Sequence, residues 1–163
     1  NVDLLIQSIK DKNNYKRKSQ FLCAFNLSTN KKERKDCLKN FLNMNNAYIY
    51  SSLKYNNNEE SVMIYFYEML SKYQFCVAPW GNGFDTHRFW QALYMGCIPV
   101  TRYSSAYSEF SDVGSIFLNH WSDVSNKTEF EKKISKAIQD ISYQRYYFDF
   151  WKEKILSIIK NKM

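Results

Sequence analysis

Short, continuously apolar runs alternate along the chain with longer stretches of helical spacing. Val2, Leu5, Ile6 and Ile9 recur at helical intervals and predict an opening helix. A basic linker, 10–19, follows it. The run "FLCAFNL", 21–27, predicts a buried strand, and 28–42 predicts a helix with Cys37, Leu38, Phe41 and Leu42 on one face. Asn30 with Glu33 supplies a capping signal at its start. "AYIYSSL", 47–53, is rich in strand formers, and "KYNNN" reads as a loop. Val62, Tyr65, Phe66, Met69 and Leu70 define another amphipathic helix. Strands are expected at 74–79, 97–101 and 115–119, with a loop and a helix between the first two. Thr128 with Glu131 forms a capping box ahead of Phe130, Ile134, Ala137, Ile138 and Ile141. A C-terminal aromatic helix, 143–163, carries Phe148, Trp151, Ile155 and Ile158 with a cluster of tyrosines. Its rings suit core packing or docking onto a neighbouring lobe.

This alternation predicts an α/β fold with a mainly parallel sheet and right-handed crossovers. In such sheets ligands bind beyond the carboxyl ends of the strands. The loop leaving the 74–79 strand is therefore a site candidate by location alone. The 163 residues fit one domain. The chain opens on Asn1, which suggests a piece of a longer protein.

Composition narrows the class. Aromatic residues make up 18% of the chain, which excludes a disordered segment. No apolar run reaches the roughly 20 residues that cross a bilayer, so no transmembrane segment is expected. The net charge of +7 fits a solvated surface, a polyanion site or general attraction of anionic ligands. The four cysteines, Cys23, Cys37, Cys76 and Cys97, include no C-x-x-C pair, so no zinc site is expected. They read as buried free thiols in a reducing compartment, which favours the cytoplasm.

The stretch "VAPWGNGFDTHRFWQALYMGCIPV", 77–100, holds both prolines and three of the four glycines. Pro79 ends the strand, since it supplies no ladder donor. Gly81, Asn82 and Gly83 offer backbone freedom and room for a ligand to approach. Asp85 or Thr86 can cap the helix that follows, whose amino terminus suits phosphate. His87, Arg88 and Gln91 share one side of that helix, and Phe89, Trp90, Ala92 and Leu93 take the buried sides. Gly96 stands where a helix terminates. On spacing alone, Arg88 is equally suited to chelating a diphosphate and to pairing with Asp85. The stretch lacks the P-loop and the dinucleotide fingerprints.

"FCVAPWGNGFDTHRFWQALYMGCIPV" resembles the signature of exostosin-like glycosyltransferases and related GT-B enzymes. That pattern runs approximately F-x-x-x-P-x-G-x-G-x-D-x-x-R-x-W-E-A-L-x-x-G-C-I-P-V. Matching positions are Phe75, Pro79, Gly81, Gly83, Asp85, Arg88, Trp90, Ala92, Leu93, Gly96, Cys97, Ile98, Pro99 and Val100. "AFNLSTNKKER", 24–34, is similar to the start of the family's nucleotide-sugar domain, and Trp121 with Asp123 is similar to a later segment.

The resemblance implies a Rossmann-like three-layer domain forming one lobe of a GT-B enzyme. Such a lobe binds a nucleotide diphosphate sugar as donor substrate, with no cofactor and no catalytic metal. The sugar passes to a glycan or another hydroxyl acceptor, and a second lobe or partner domain completes the cleft. Arg88 would stabilise the leaving diphosphate. Gly81, Asn82, Gly83, Asp85, Thr86, His87 and Gln91 would contact the donor. Thr101, with Arg102 and Tyr103, would line the pocket or meet the base. No general base is assigned, and His120 and Asp123 read chiefly as surface or core residues. The family has Glu where this chain has Gln91, so the charge assistance toward ribose hydroxyls is missing. That departure leaves a non-catalytic nucleotide or nucleotide-sugar binding module as an alternative. A basic nucleic-acid-binding domain is the other.

Overall fold

The computed structural model describes residues 7–9, 16–50, 59–110 and 113–140, with five helical positions between 152 and 160. The first predicted helix lies largely outside the described residues, although Ile9 is buried. The aromatic helix of 143–163 is outside them except for those five positions.

The described residues form a Rossmann-like three-layer α/β domain around five parallel strands. These are β1 (Lys18–Cys23), β2 (Ala47–Ile49), β3 (Tyr73–Val77), β4 (Ile98–Arg102) and β5 (Ile116–Leu118). Their spatial order is β2-β1-β3-β4-β5. Register is set by Phe21 opposite Ala47 and Phe75, Cys76 opposite Pro99, and Val100 opposite Ile116. The helices are α1 (Lys31–Leu42), α2 (Glu59–Lys72), α3 (His87–Tyr94) and α4 (Lys127–Gln139). Two 3₁₀ helices, Ser105–Phe110 and Trp121–Ser125, follow β4 and β5.

Strand alternation divides the core. Phe21 and Cys23 join Phe75, Val77, Val100 and Ile116 under α1 and α4. Leu22, Ala24 and Cys76 face the other way, against Phe66, Met69 and Leu70 of α2 and Ala92 of α3. Right-handed crossovers account for this split, because β1→β2 and β2→β3 run in opposite directions across the sheet. The chain order reverses between β1 and β3, which makes that crevice the switch point of the sheet.

The helix ends correct two expectations. Asn30 precedes α1 with φ of 44° and makes no side-chain cap; its Nδ2 donates to the Gly81 carbonyl at 3.0 Å. The Glu33 carboxylate is likewise committed elsewhere. At α4 the cap is Asn126, whose Oδ1 accepts from the Glu129 N–H at 3.3 Å. The helix starts at Lys127, so Thr128 already lies inside it. Gly96 ends α3 as expected, with φ of 68°. The Cys97 N–H reaches the Ala92 carbonyl at 2.8 Å and the Gly96 N–H reaches Leu93 at 2.9 Å, a Schellman pair.

Arg17, in the linker read as solvated, has a structural task. Its Nη1 donates to the carbonyls of Leu70 (2.6 Å) and Tyr73 (2.9 Å), and its Nη2 donates to Met95. The positive charge thereby meets the carboxyl-terminal dipoles of α2 and α3. Among the described residues no helix is long and apolar enough to cross a membrane. All four cysteines are free and buried.

Candidate functional site

A cleft of about 370 Å³ opens at the β1/β3 switch point. Asn26 and Thr29, from the loop after β1, and Arg34 of α1 form one side. Val62, Met63 and Phe66 of α2 form an apolar wall. Thr86, His87, Arg88 and Gln91, at the start of α3, complete it. The lining holds two guanidiniums and an imidazole but no carboxylate.

Arg34 is only 8% exposed. Its Nη1 donates to the Asn26 carbonyl at 2.6 Å and its Nε to the Trp80 carbonyl at 3.1 Å. Its Nη2 lies against Gly81, where an added Cβ would stand 3.3 Å away. A side chain at Gly81 would therefore press on that guanidinium and make it give by a few tenths of an ångström. Neither Gly81 nor Gly83 has positive φ, so the backbone freedom expected of this loop is not what it uses. Burial lowers the Arg34 pKa from its ordinary value, partly opposed by the Cys37 thiol. Among the described residues no carboxylate pairs with it.

The neighbouring Glu33 has the opposite situation. Its Oε1 accepts from Trp121 Nε1 at 2.8 Å, and its Oε2 accepts from Arg102 Nη1 at 2.8 Å. The Arg102 guanidinium also lies 4.3 Å from the Trp80 ring centroid, and Trp80 Nε1 donates to the Arg102 carbonyl at 3.2 Å. The first turn of α1 thus braces loops at the carboxyl ends of β1, β3, β4 and β5.

Thr86 is the residue before α3, but its side chain makes no cap. Its N–H donates to the Tyr107 hydroxyl at 3.2 Å, and that hydroxyl donates to the Phe84 carbonyl at 3.0 Å. Burial pushes the Tyr107 phenol up to about 12, against the lowering effect of the Thr86 N–H. Asp85 accepts from Trp90 Nε1 at 2.7 Å, so its role is to fix the turn. The Arg88 guanidinium lies 4.3 Å from the Phe66 ring centroid, joining the two cleft walls. Burial pushes the Cys76 thiol up to about 12, and the charge of Arg88 acts against that rise.

Of the residues expected from sequence, Thr86, His87, Arg88 and Gln91 come together in the cleft. Gly81 backs its wall. Asn82 and Gly83 are exposed and do not line it. Thr101 is fully buried within β4, because strand alternation turns it into the packed interior, and it does not reach the cleft. Arg102 is neutralised by Glu33. Asp123 accepts from the N–H groups of Asn119 and His120 at 2.9 and 3.0 Å, a turn-forming role. Sequence reasoning missed Arg34, Asn26 and Thr29. The similarity of 24–34 to a nucleotide-sugar domain was the one signal that pointed there.

Fold and cleft together define a Rossmann-like α/β domain with a cationic crevice at its switch point. Among the described residues no group of three His, Cys, Asp or Glu side chains could hold a metal ion. A scan against protein-family models finds no match, and no curated protein matches the chain.

Proposed function

We propose that the chain is the donor-binding lobe of a metal-independent glycosyltransferase, and that the cleft takes a nucleoside diphosphate sugar. The observation that carries this reading is Arg34: a nearly buried cation that lines the cleft and pairs with no carboxylate among the described residues. Burying a charge is costly unless a counter-ion meets it, so the site favours an anion. The start of α3 brings its positive dipole to the same place.

In this reading Arg34 and Arg88 hold the diphosphate from opposite walls. They stabilise the charge that develops as the bond from the sugar anomeric carbon to the diphosphate breaks. The acceptor hydroxyl oxygen bonds to that carbon, and its proton passes to a base supplied from beyond this lobe. Gln91 meets ribose hydroxyls through its amide, and the wall of Val62, Met63 and Phe66 packs against the nucleobase. Because Gln91 carries no charge, a second reading keeps the same ligand without turnover: a nucleotide-sugar binding module.

Thermal melts with UDP, GDP and their sugars test the reading. A ligand at about 100 times its Kd stabilises by about 2.7 kcal/mol through mass action. Stabilisation that disappears in both Arg34→Ala and Arg88→Ala is expected. Stabilisation by oligonucleotides alone, with steep salt dependence, would replace the reading with nucleic-acid binding. Turnover that appears only in Gln91→Glu would mark a decayed enzyme rather than a pure binding module.

A further inference from the structure

The two lysine-rich helices are far apart in sequence, yet both pack against the Trp121–Ser125 3₁₀ helix. The Phe21 ring of β1 touches Phe41 of α1 at 5.7 Å and Phe130 of α4 at 5.5 Å, so both helices cover the same face of the sheet. Exposed on them are Lys31, Lys32, Lys35 and Lys39 of α1 and Lys127, Lys132, Lys133 and Lys136 of α4, of which Lys132 pairs with Glu129 at 2.8 Å and Lys133 donates to the Phe117 carbonyl at 3.0 Å. Against these eight stand three exposed carboxylates, Asp36, Glu129 and Glu131. This one face therefore carries a surplus of five positive charges, most of the net +7 of the chain.

We propose that the outer face of α1 and α4 docks onto an anionic lipid bilayer. The charges are all lysine, the compact kind that acts through a diffuse surface potential rather than through forked, bidentate recognition. The large apolar side chains exposed on these helices are aliphatic, Leu42 at 59% and Ile138 at 42%, and both sit near carboxyl-terminal helix ends. Aliphatic groups among lysines suit the boundary between headgroups and acyl chains. Single-stranded nucleic acid is favoured instead by exposed rings for base stacking. Here Phe41, Phe130 and the intervening Trp121 are all buried. None of these lysines lines the cleft, so the surface is independent of the donor site.

Co-sedimentation of the full chain with phosphatidylcholine vesicles, with and without phosphatidylserine, tests the proposal. Binding to the anionic vesicles alone, weakened by salt, is expected. Lys32→Glu, Lys35→Glu, Lys39→Glu and Lys136→Glu together should abolish it, and Lys35→Glu alone should lower the bound-to-free ratio by more than the roughly fivefold that one lost lysine is worth. Leu42→Ser with Ile138→Ser should weaken what remains at physiological salt. Equal binding to neutral vesicles, no binding to either, or full retention in Lys35→Glu overturns the proposal. So does displacement from vesicles by an oligonucleotide that binds the same lysines more tightly.

Discussion

Glu33 and Arg34 are consecutive residues of α1 with opposite electrostatic fates. The Glu33 carboxylate receives Trp121 on one oxygen and Arg102 on the other, both at 2.8 Å. Among the described residues, Arg34 donates only to the backbone carbonyls of Asn26 and Trp80. One helical turn therefore spends its negative charge on fixing the scaffold and leaves its positive charge for the cleft.

Replacing Arg34 should affect binding more than folding. Arg34→Ala is expected to weaken nucleoside diphosphate binding by about 1.5–3 kcal/mol, the range for a charged hydrogen bond. Arg34→Lys should restore little of it, because a single ammonium cannot serve two carbonyls and an anion in one plane. Calorimetric titration of the two variants checks this; affinity equal to the parent would remove Arg34 from the site.

The two glycines of the loop should differ. A methyl at Gly81 would sit 3.3 Å from Arg34 Nη2, whose guanidinium is held by two hydrogen bonds. A methyl at Gly83 meets nothing closer than 3.8 Å. Gly81→Ala should therefore lower ligand affinity several-fold, on the order of 1 kcal/mol from a displaced charged contact. Gly83→Ala should leave it unchanged. Equal effects in a paired titration would show that loop flexibility matters and Arg34 placement does not.

Tyr107→Phe keeps the ring that packs 4.4 Å from Phe89 and removes the hydroxyl between Phe84 and Thr86. The buried Thr86 N–H then loses its partner, at a cost of about 1–3 kcal/mol. Urea denaturation should show the loss. Because that N–H opens α3, binding of the anion should weaken as well.

Alkaline pH should destabilise the fold. The Cys76 thiol rises from 9.0 to about 12 and the Tyr107 phenol from 10.0 to about 12. Cys23, Cys37 and Cys97 are also raised by burial. Between these limits the unfolded chain has lost protons that the folded chain retains, so stability falls as pH rises. It is fully present below pH 9 and declines progressively toward 12. Denaturant midpoints across that range check the sign. In the native protein all four thiols should resist an aqueous thiol reagent, because each is buried.

The layer architecture was legible because each strand core is a contiguous apolar run, as in Phe75, Cys76 and Val77. The end of α3 was legible for a local reason, since Gly96 alone supplies the left-handed residue that the Schellman turn requires. The strand read at 47–53 is found over Ala47–Ile49, and the Tyr50 N–H still reaches the Cys23 carbonyl at 3.0 Å. Residues 51–53 lie outside the described residues. Half of the site was visible, because His87, Arg88 and Gln91 lie on one helical face. Arg34 was hidden in "KKERK", where spacing does not separate it from its lysine neighbours. Its burial comes from Asn30 turning left-handed and gripping Gly81, a contact 51 residues apart in the chain.

Arg17 lies at the back of the sheet, yet it fastens the rear ends of both helices that flank the cleft. It acts as a rivet for two helices that also meet at the mouth, through Phe66 and Arg88. The gape of that mouth is therefore governed by a residue that no bound molecule touches, and sequence variation ahead of β1 can retune what the crevice admits.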